Sequence, residues 1–151
     1  MTTYLIDGNN LTGKAKIKNK TRDRREDIVL LLESYFSEFK FKVKLYFDGY
    51  PTFSIASTRL DIIFSRSQTA DDLIRFEIEN HKNPRTLTIV SSDEDITNLA
   101  RACGCKVIKS ETFYEMIKQK RQSLFDEKQN KVVGDKDFIE LLKRKYGENI
   151  D

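Results

Sequence analysis

The sequence of 151 residues contains one histidine, two cysteines and no tryptophan. A ribonuclease that uses the RNA 2′-hydroxyl as its nucleophile usually needs two groups that titrate near neutral pH, typically a pair of histidines. A single histidine, His81, cannot form such a pair. The same count excludes zinc sites built from several histidines, such as H-E-x-x-H. We expect His81 to lie at the surface near a helix end. Any catalysis by this chain is therefore expected to depend on carboxylates.

The sequence also lacks a disulfide framework, a long apolar run and a nucleotide-binding loop. Cys103 and Cys105 form a C-x-C pair, which matches neither a disulfide framework nor a zinc site, and both are expected to be reduced. No apolar run approaches the roughly 18–20 residues that span a bilayer. Asp7 interrupts the N-terminal apolar stretch too early for a secretory signal. We therefore expect a cytoplasmic protein with no membrane partner. Without G-x-G-x-x-G or G-x-x-x-x-G-K-[ST], dinucleotide and P-loop nucleotide binding are unsupported.

The net charge of +3 is unevenly distributed along the chain. Residues 14–25 carry seven Lys/Arg against one Asp, a local net charge of +6. Such a segment is either a solvated loop or an arm that contacts nucleic-acid phosphates and releases their counterions. The candidate phosphate contacts are Lys14, Lys16, Lys18, Lys20, Arg22, Arg24 and Arg25.

Short apolar runs alternate with amphipathic segments along much of the chain. Strands are predicted over residues 4–6, 41–47, 60–64, 86–90 and 106–108. Helices are predicted over residues 22–39, from 70 to just before 83, over 96–103, around 113–117, and again near 138–142. The alternation indicates an α/β domain with a mostly parallel sheet. The connection between residues 48 and 60 is short, so the direction of the third strand stays open.

Aspartates follow the predicted strands. They are Asp7 after the first strand, Asp48 after the second, Asp71 and Asp72 after the third, and Asp93 and Asp95 after the fourth. The carboxyl ends of parallel strands share one edge of a sheet, where open α/β folds bind ligands. Carboxylates clustered there repel one another by about 4 kcal/mol per pair at 4 Å and an effective dielectric constant near 20. A hard divalent cation offsets this cost by binding the oxygens.

Each of these acids also has a structural explanation. Residues 69–72 (Thr-Ala-Asp-Asp) and 91–94 (Ser-Ser-Asp-Glu) both fit helix N-termini, where acids interact favourably with the helix dipole. Asp48 could belong to a turn with Gly49. No helix is predicted after Asp7, which could form an Asx turn. We favour the functional interpretation because the acids fall at four strand ends on one edge.

Four segments occur in an order that resembles a known family. They are Leu5-Ile-Asp-Gly-Asn-Asn-Leu11, Phe47-Asp-Gly49, Thr69-Ala-Asp-Asp-Leu-Ile74 and Val90-Ser-Ser-Asp93. Together with residues 100–113, they resemble the NYN domain, in its bacterial YacP-like branch, within the PIN-like nuclease superfamily. The resemblance extends from about Thr3 to Lys118. The family usually opens with D-G-Y-N, whereas this chain has Asn9 in place of the tyrosine, a change expected to alter a base or loop contact.

The resemblance implies a three-layer PIN-like domain over residues 1–120, with sheet order 3-2-1-4-5 and helices on both faces. The apolar spacing near residues 138–142 predicts a helical C-terminal extension over residues 121–151, packed on or beside this domain. The resemblance also implies an endoribonuclease that uses Mg²⁺ or Mn²⁺ and leaves 5′-phosphate and 3′-hydroxyl ends. The expected partner is single-stranded RNA, either free or ribosome-bound. The implied catalytic residues are Asp7, Asn10, Asp71, Asp72 and Asp93. The implied metal ligands are Asp7, Asp72 and Asp93, with Asp48, Asp71 and Asp95 as accessories.

Two other functions stay open from the sequence. A non-catalytic RNA-binding or adaptor module would be expected to lack a main carboxylate, and none is missing. A phosphatase or phosphoacceptor domain of doubly wound type usually has a second Asp two residues after the first, where this chain has Asn9. The oligomeric state does not follow from the sequence.

Overall fold

The computed structural model describes residues 1–15, 24–52 and 57–130. The strands are β1 (Thr3–Asp7), β2 (Lys42–Phe47), β3 (Asp61–Phe64), β4 (Leu87–Val90) and β5 (Lys106–Ile108). The helices are α1 (Gly8–Lys14), α2 (Arg24–Phe36), α3 (Ala70–Asn80), α4 (Glu94–Ala102) and α5 (Ser110–Asn130). The chain divides into two compact units, Met1–Glu115 and Met116–Asp151, and the sheet lies in the first. Among the helices of the described ranges, none has the length and apolar composition required to cross a bilayer.

The five strands form one parallel sheet in the order β3-β2-β1-β4-β5, which confirms the predicted order. Central strand β1 pairs with β2 and with β4. Strand β3 is parallel to β2, which gives the direction that the sequence left open. All carboxyl ends therefore lie on one edge of the sheet, here called the C-terminal edge.

Helices cover both faces of the sheet, because neighbouring residues of a strand point to opposite faces. The ring of Tyr4 lies 5.1 Å from that of Phe36 in α2 and 6.2 Å from that of Phe113 in α5. On the other face, Leu5 belongs to a buried cluster with Ile74 of α3 and Ile96 of α4. The predicted three-layer α/β fold is confirmed.

Helix α1 begins directly after Asp7, where the sequence predicts only a turn, so that prediction was wrong. Its sequence, GNNLTGK, has weak helix propensity, and Leu11 is its only large apolar side chain. The helix forms because Leu11 is fully buried and because the Asp7 side chain accepts a hydrogen bond from the Asn10 amide at 3.3 Å. The burial of Leu11 and the cap formed by Asp7 thus outweigh the weak helix propensity of this segment.

The ends of two further helices differ from the predicted ones. Helix α2 ends at Phe36 rather than at residue 39, and the Arg59 guanidinium donates to the carbonyls of Phe36, Phe39 and Phe41. Helix α5 continues through a polar stretch to Asn130, well beyond the segment expected to be helical. The predicted start of α2 at residue 22 and the predicted terminal helix near residue 138 lie outside the described residues.

Gly8 is the position where α1 comes closest to β2. A Cβ atom there would lie 2.6 Å from the Tyr46 carbonyl oxygen and 2.6 Å from a ring carbon of Phe47. We expect Gly8→Ala to lower the free energy of unfolding by about 1–3 kcal/mol, because the main chain of β2 cannot move aside cheaply. Urea denaturation measures this loss.

The matched control is Gly13→Ala in the same helix, where an added Cβ meets no atom within 4 Å. This variant should be as stable as the wild type, or up to about 1 kcal/mol more stable, because alanine favours the helix. A Gly8→Ala protein that is as stable as Gly13→Ala would contradict the close approach of α1 to β2.

Candidate active site

The carboxylate of Asp7 ends the central strand and is the most buried acid at the C-terminal edge, with 9% of the residue exposed. One oxygen accepts the Asn10 amide at 3.3 Å, and the other accepts the Ser91 hydroxyl at 3.1 Å. Burial raises the pKa of Asp7, the two hydrogen bonds lower it, and the charges of Asp48 and Asp93 raise it further. Three strand ends thus contribute interacting carboxylates to one site.

Asp48 and Asp93 each hold the start of a helix as well as facing Asp7. The Oδ1 atom of Asp48 accepts the Ala70 amide at 2.7 Å, at the first residue of α3. The Oδ1 atom of Asp93 accepts the Ile96 amide at 3.1 Å and caps α4. The helix-cap explanation of Asp93 is therefore correct, whereas Asp48, expected at most in a turn with Gly49, binds the start of α3; in both residues this structural role coexists with an electrostatic interaction with Asp7.

The acids at the start of α3 and α4 are joined through Arg75. Its guanidinium lies 3.1 Å from Asp71 and 3.3 Å from Asp95. Burial raises the pKa of Asp71, the Arg75 charge lowers it, and the charges of Asp93 and Asp72 raise it. The Oδ1 atom of Asp71 is buried and accepts no hydrogen bond from the described residues. Arg75 thus binds both acids, and Asp71 also interacts electrostatically with Asp93.

Of the predicted metal ligands, Asp7 and Asp93 interact electrostatically, as do Asp7 and the accessory Asp48, but no three of the described acids lie at ligating distances. Within the described ranges, no group of three or more His, Cys, Asp or Glu side chains is close enough to hold a metal ion. The capping bonds direct Oδ1 of Asp48 and Oδ1 of Asp93 toward backbone amides. Asp72 is exposed, and its amide donates to Thr69 at the helix cap.

A hydrogen-bond network centred on Asn10 joins the ends of β1, β4 and β5. The Asn10 side-chain oxygen accepts the Ser92 amide at 2.9 Å and the Ser110 hydroxyl at 2.6 Å. The Ser92 hydroxyl donates to Glu111 at 2.5 Å, and this bond lowers the pKa of Glu111, as does the nearby charge of Lys14. The orienting role expected of Asn10 thus has a physical basis in these contacts.

Sequence reasoning missed the serines and the glutamate of this network. Ser91, Ser92, Ser110 and Glu111 lie in segments that resemble the family, but none of them was predicted as a site residue. Their position after β4 and β5 was the available signal, because those strands end on the same edge as β1. Asn9 also has a role in the site, since its side chain accepts the Asp48 amide at 2.7 Å.

The basic segment is only partly described, since Lys16, Lys18, Lys20 and Arg22 lie outside the described residues. Lys14 is exposed in the last turn of α1. Arg25 contacts the Thr52 hydroxyl, and its guanidinium lies 5.8 Å from the Phe47 ring centre. Arg24 instead donates to the carbonyls of Thr12 and Ala15 at the end of α1, at 3.2 and 2.7 Å. These bonds give Arg24 a structural role, and its phosphate contact stays a prediction.

The parallel sheet in this order, with carboxylates from three strand ends at its C-terminal edge, agrees with the PIN-like nuclease superfamily, to which YacP-like NYN domains belong. The chain belongs to the YacP-like NYN domain family, whose model matches residues 4–146. A comparison with curated proteins finds no match.

Two solved structures of Rae1 (YacP) from Bacillus subtilis share the fold. A point mutant of Rae1 superimposes with a TM-score of 0.71 at 19% identity, covering 95% of this chain and 91% of that chain. A second Rae1 structure gives a TM-score of 0.64 at 19% identity, covering 97% of this chain and 92% of that chain. At this identity the likeness concerns the fold alone.

The raised pKa of Asp7 predicts that its charge destabilises the metal-free protein. Asp7→Asn should raise the free energy of unfolding at pH 7 in EDTA, because asparagine keeps an acceptor for the Asn10 amide and removes a buried charge. The charge penalty is absent below the unfolded-state pKa near 3.9 and grows as the pH rises through the folded-state pKa. The stability gain should therefore disappear near pH 4.

Urea denaturation at the two pH values measures this difference. The control is Asp7→Ala, which loses the helix cap and should be about 0.5–2 kcal/mol less stable than Asp7→Asn. An Asp7→Asn protein that is less stable than the wild type at pH 7 would mean that the hydrogen bonds outweigh the burial of the charge.

Proposed function

We propose that this chain is a metal-dependent endoribonuclease that hydrolyses RNA to 5′-phosphate and 3′-hydroxyl ends. The main support is the electrostatic interaction of Asp7, Asp48 and Asp93 at one edge of the sheet. A divalent cation stabilises carboxylates whose negative charges lie close together, and phosphodiester hydrolysis commonly uses such an ion. Membership of the YacP-like NYN family supports the same chemistry.

The side chains at the C-terminal edge fit a hard divalent cation such as Mg²⁺ or Mn²⁺. Carboxylate oxygens are the ligands that such ions prefer. The helix-capping bonds use Oδ1 of Asp48 and Oδ1 of Asp93, so the Oδ2 atoms remain available. Asp71 adds a buried oxygen that accepts no hydrogen bond from the described residues. In our proposal Asp7, Asp48 and Asp93 bind the ion. Asp71 and Asp72 add negative charge beside it.

Other predicted residues have different roles in this proposal. Asp95 is left out of the ligand set because its side chain is 79% exposed and its contact is with Arg75. Asn10 keeps the loop after β4 in place through the Ser92 amide and so positions Asp93. Lys14 and Arg25 bind phosphates of the substrate. A divalent cation held at the acidic edge supplies Lewis-acid activation of water and of the scissile phosphate.

A non-catalytic RNA-binding module is the second candidate function. It is favoured by the finding that no three potential ligands in the described part of the chain are close enough to hold a metal. An RNA-binding module would retain affinity for RNA and show no cleavage with any divalent ion.

The proposal is tested by cleavage of labelled single-stranded RNA in Mg²⁺, Mn²⁺ or EDTA. We expect cleavage with a divalent ion, none in EDTA, and 5′-phosphate ends. Asp93→Asn should lose cleavage while the metal-free protein stays as stable as the wild type, because asparagine caps a helix about as well as aspartate. Added Mg²⁺ should raise the melting temperature of the wild type more than that of Asp93→Asn.

The matched control is Asp61→Asn, an exposed aspartate at the opposite end of β3, which should cleave like the wild type. Cleavage that persists in EDTA, or ends in 2′,3′-cyclic phosphate, would refute the metal-dependent mechanism. Full cleavage by Asp93→Asn would remove this residue from the site.

The basic segment is expected to bind the RNA backbone. Replacement of Lys14, Lys16, Lys18 and Lys20 by alanine should weaken RNA binding and flatten its salt dependence, by roughly 0.7 for each phosphate of a single strand that is no longer neutralised. Affinities measured over a range of salt concentrations give the slope. The control replaces Lys42 and Lys106, exposed at the first residues of β2 and β5 and so at the opposite edge. Equal slopes for the two variants would disprove the role of the segment.

A further inference from the structure

Tyr50 and Arg66 form an exposed aromatic and cationic pair beside the acidic edge. Tyr50 follows Asp48 by two residues, and 59% of it is exposed. The guanidinium of Arg66 lies 5.7 Å from the centre of the Tyr50 ring. An exposed aromatic ring with a cation at this distance is a surface on which a nucleobase can stack.

The two loops that carry this pair are joined by backbone contacts. The Arg66 amide donates to the Gly49 carbonyl at 2.7 Å, and the Gly49 amide donates to the Ser65 hydroxyl at 2.9 Å. The Ser65 amide donates to the Phe47 carbonyl at 2.9 Å. Since Asp48 lies between Phe47 and Gly49, the same contacts position both the acid and the pair.

Arg66 adopts a conformation that disfavours most side chains. Its φ of 58° is the only positive φ of a non-glycine residue in the described ranges. Such a conformation costs free energy and persists only where the surrounding contacts impose it. In this conformation the Arg66 guanidinium lies over the Tyr50 ring.

The geometry points to a base-stacking subsite for single-stranded RNA, formed by Tyr50 with Arg66 and adjacent to the acidic edge. The inference rests on the proposed nuclease function and adds to it how the strand is held next to Asp48. Stacking uses the face of any base, so the subsite tolerates different sequences and requires an unpaired base. The cation of Arg66 adds attraction for the RNA backbone.

The test measures dissociation constants in EDTA, so that binding is separated from cleavage. The probes are a single-stranded oligoribonucleotide and an abasic ribose-phosphate chain of equal length. Tyr50→Ala should weaken binding of the oligoribonucleotide by roughly 5- to 150-fold and leave binding of the abasic chain unchanged. Tyr50→Phe keeps the ring and should bind both probes like the wild type.

Two further variants control for position and folding. Phe76→Ala removes an aromatic residue of similar exposure in the middle of α3 and should bind both probes like the wild type. Arg66→Gly removes the cation at a φ that glycine adopts without strain, and it should weaken binding of both probes. The melting temperature of each variant confirms folding.

The outcomes separate this inference from the proposed function. If the wild type cleaves RNA and Tyr50→Ala binds both probes normally, the subsite is refuted while the nuclease stands. An equal loss for both probes in Tyr50→Ala also refutes stacking. If the wild type neither binds nor cleaves RNA, both proposals fail.

Discussion

Burying the carboxylate of Asp7 costs free energy unless its oxygens accept hydrogen bonds, and the loops of the C-terminal edge are arranged to donate them. The Asn10 amide binds one oxygen and the Ser91 hydroxyl binds the other. The same Ser91 oxygen accepts the Asp93 amide at 3.1 Å. Asp7 thus connects the first turn of α1 to the loop after β4, and through that loop it positions Asp93.

The acids at this edge serve the fold and the candidate chemistry with different oxygens. Asp7, Asp48 and Asp93 each bind the start of a helix, and they also raise the electrostatic free energy of the site. Substitution by asparagine separates the two roles, because asparagine keeps the capping acceptor and removes the charge. Substitution by alanine removes both, so a loss of activity in an alanine variant would not distinguish a ligand from a cap.

An acidic edge repels the polyanion that a nuclease must bind, so cations are needed around it. The structure uses its arginines in two ways. Arg24 and Arg59 bind backbone carbonyls at the ends of α1 and α2, where they stabilise the helices. Arg25 and Arg66 contact the loop that follows β2, beside Asp48. These last two add positive charge next to the candidate site.

Much of the fold follows from local patterns in the sequence. Apolar runs such as residues 86–90 predict buried strands, and apolar residues at helical spacing predict α3 and α4. Burial of apolar side chains stabilises both kinds of element. The parallel sheet then brings Asp7, Asp48 and Asp93 to one edge whatever the details of the loops. Their gathering was therefore predictable from the sequence, and the strand order came from the resemblance to a known family.

Tertiary structure alone decided what these side chains contact. Asn10 binds Ser110, which lies one hundred positions further along the chain, and Arg24 binds the end of α1 instead of facing solvent. Helix α1 itself forms through the burial of Leu11 and the cap of Asp7. A hydrogen bond tolerates changes of only a few tenths of an ångström in the donor–acceptor distance. Packing sets this distance when the two segments are far apart in sequence. The sequence pattern determines which side chains lie at the C-terminal edge of the sheet. Only the packed fold determines which atom of each side chain forms a hydrogen bond, and with which partner.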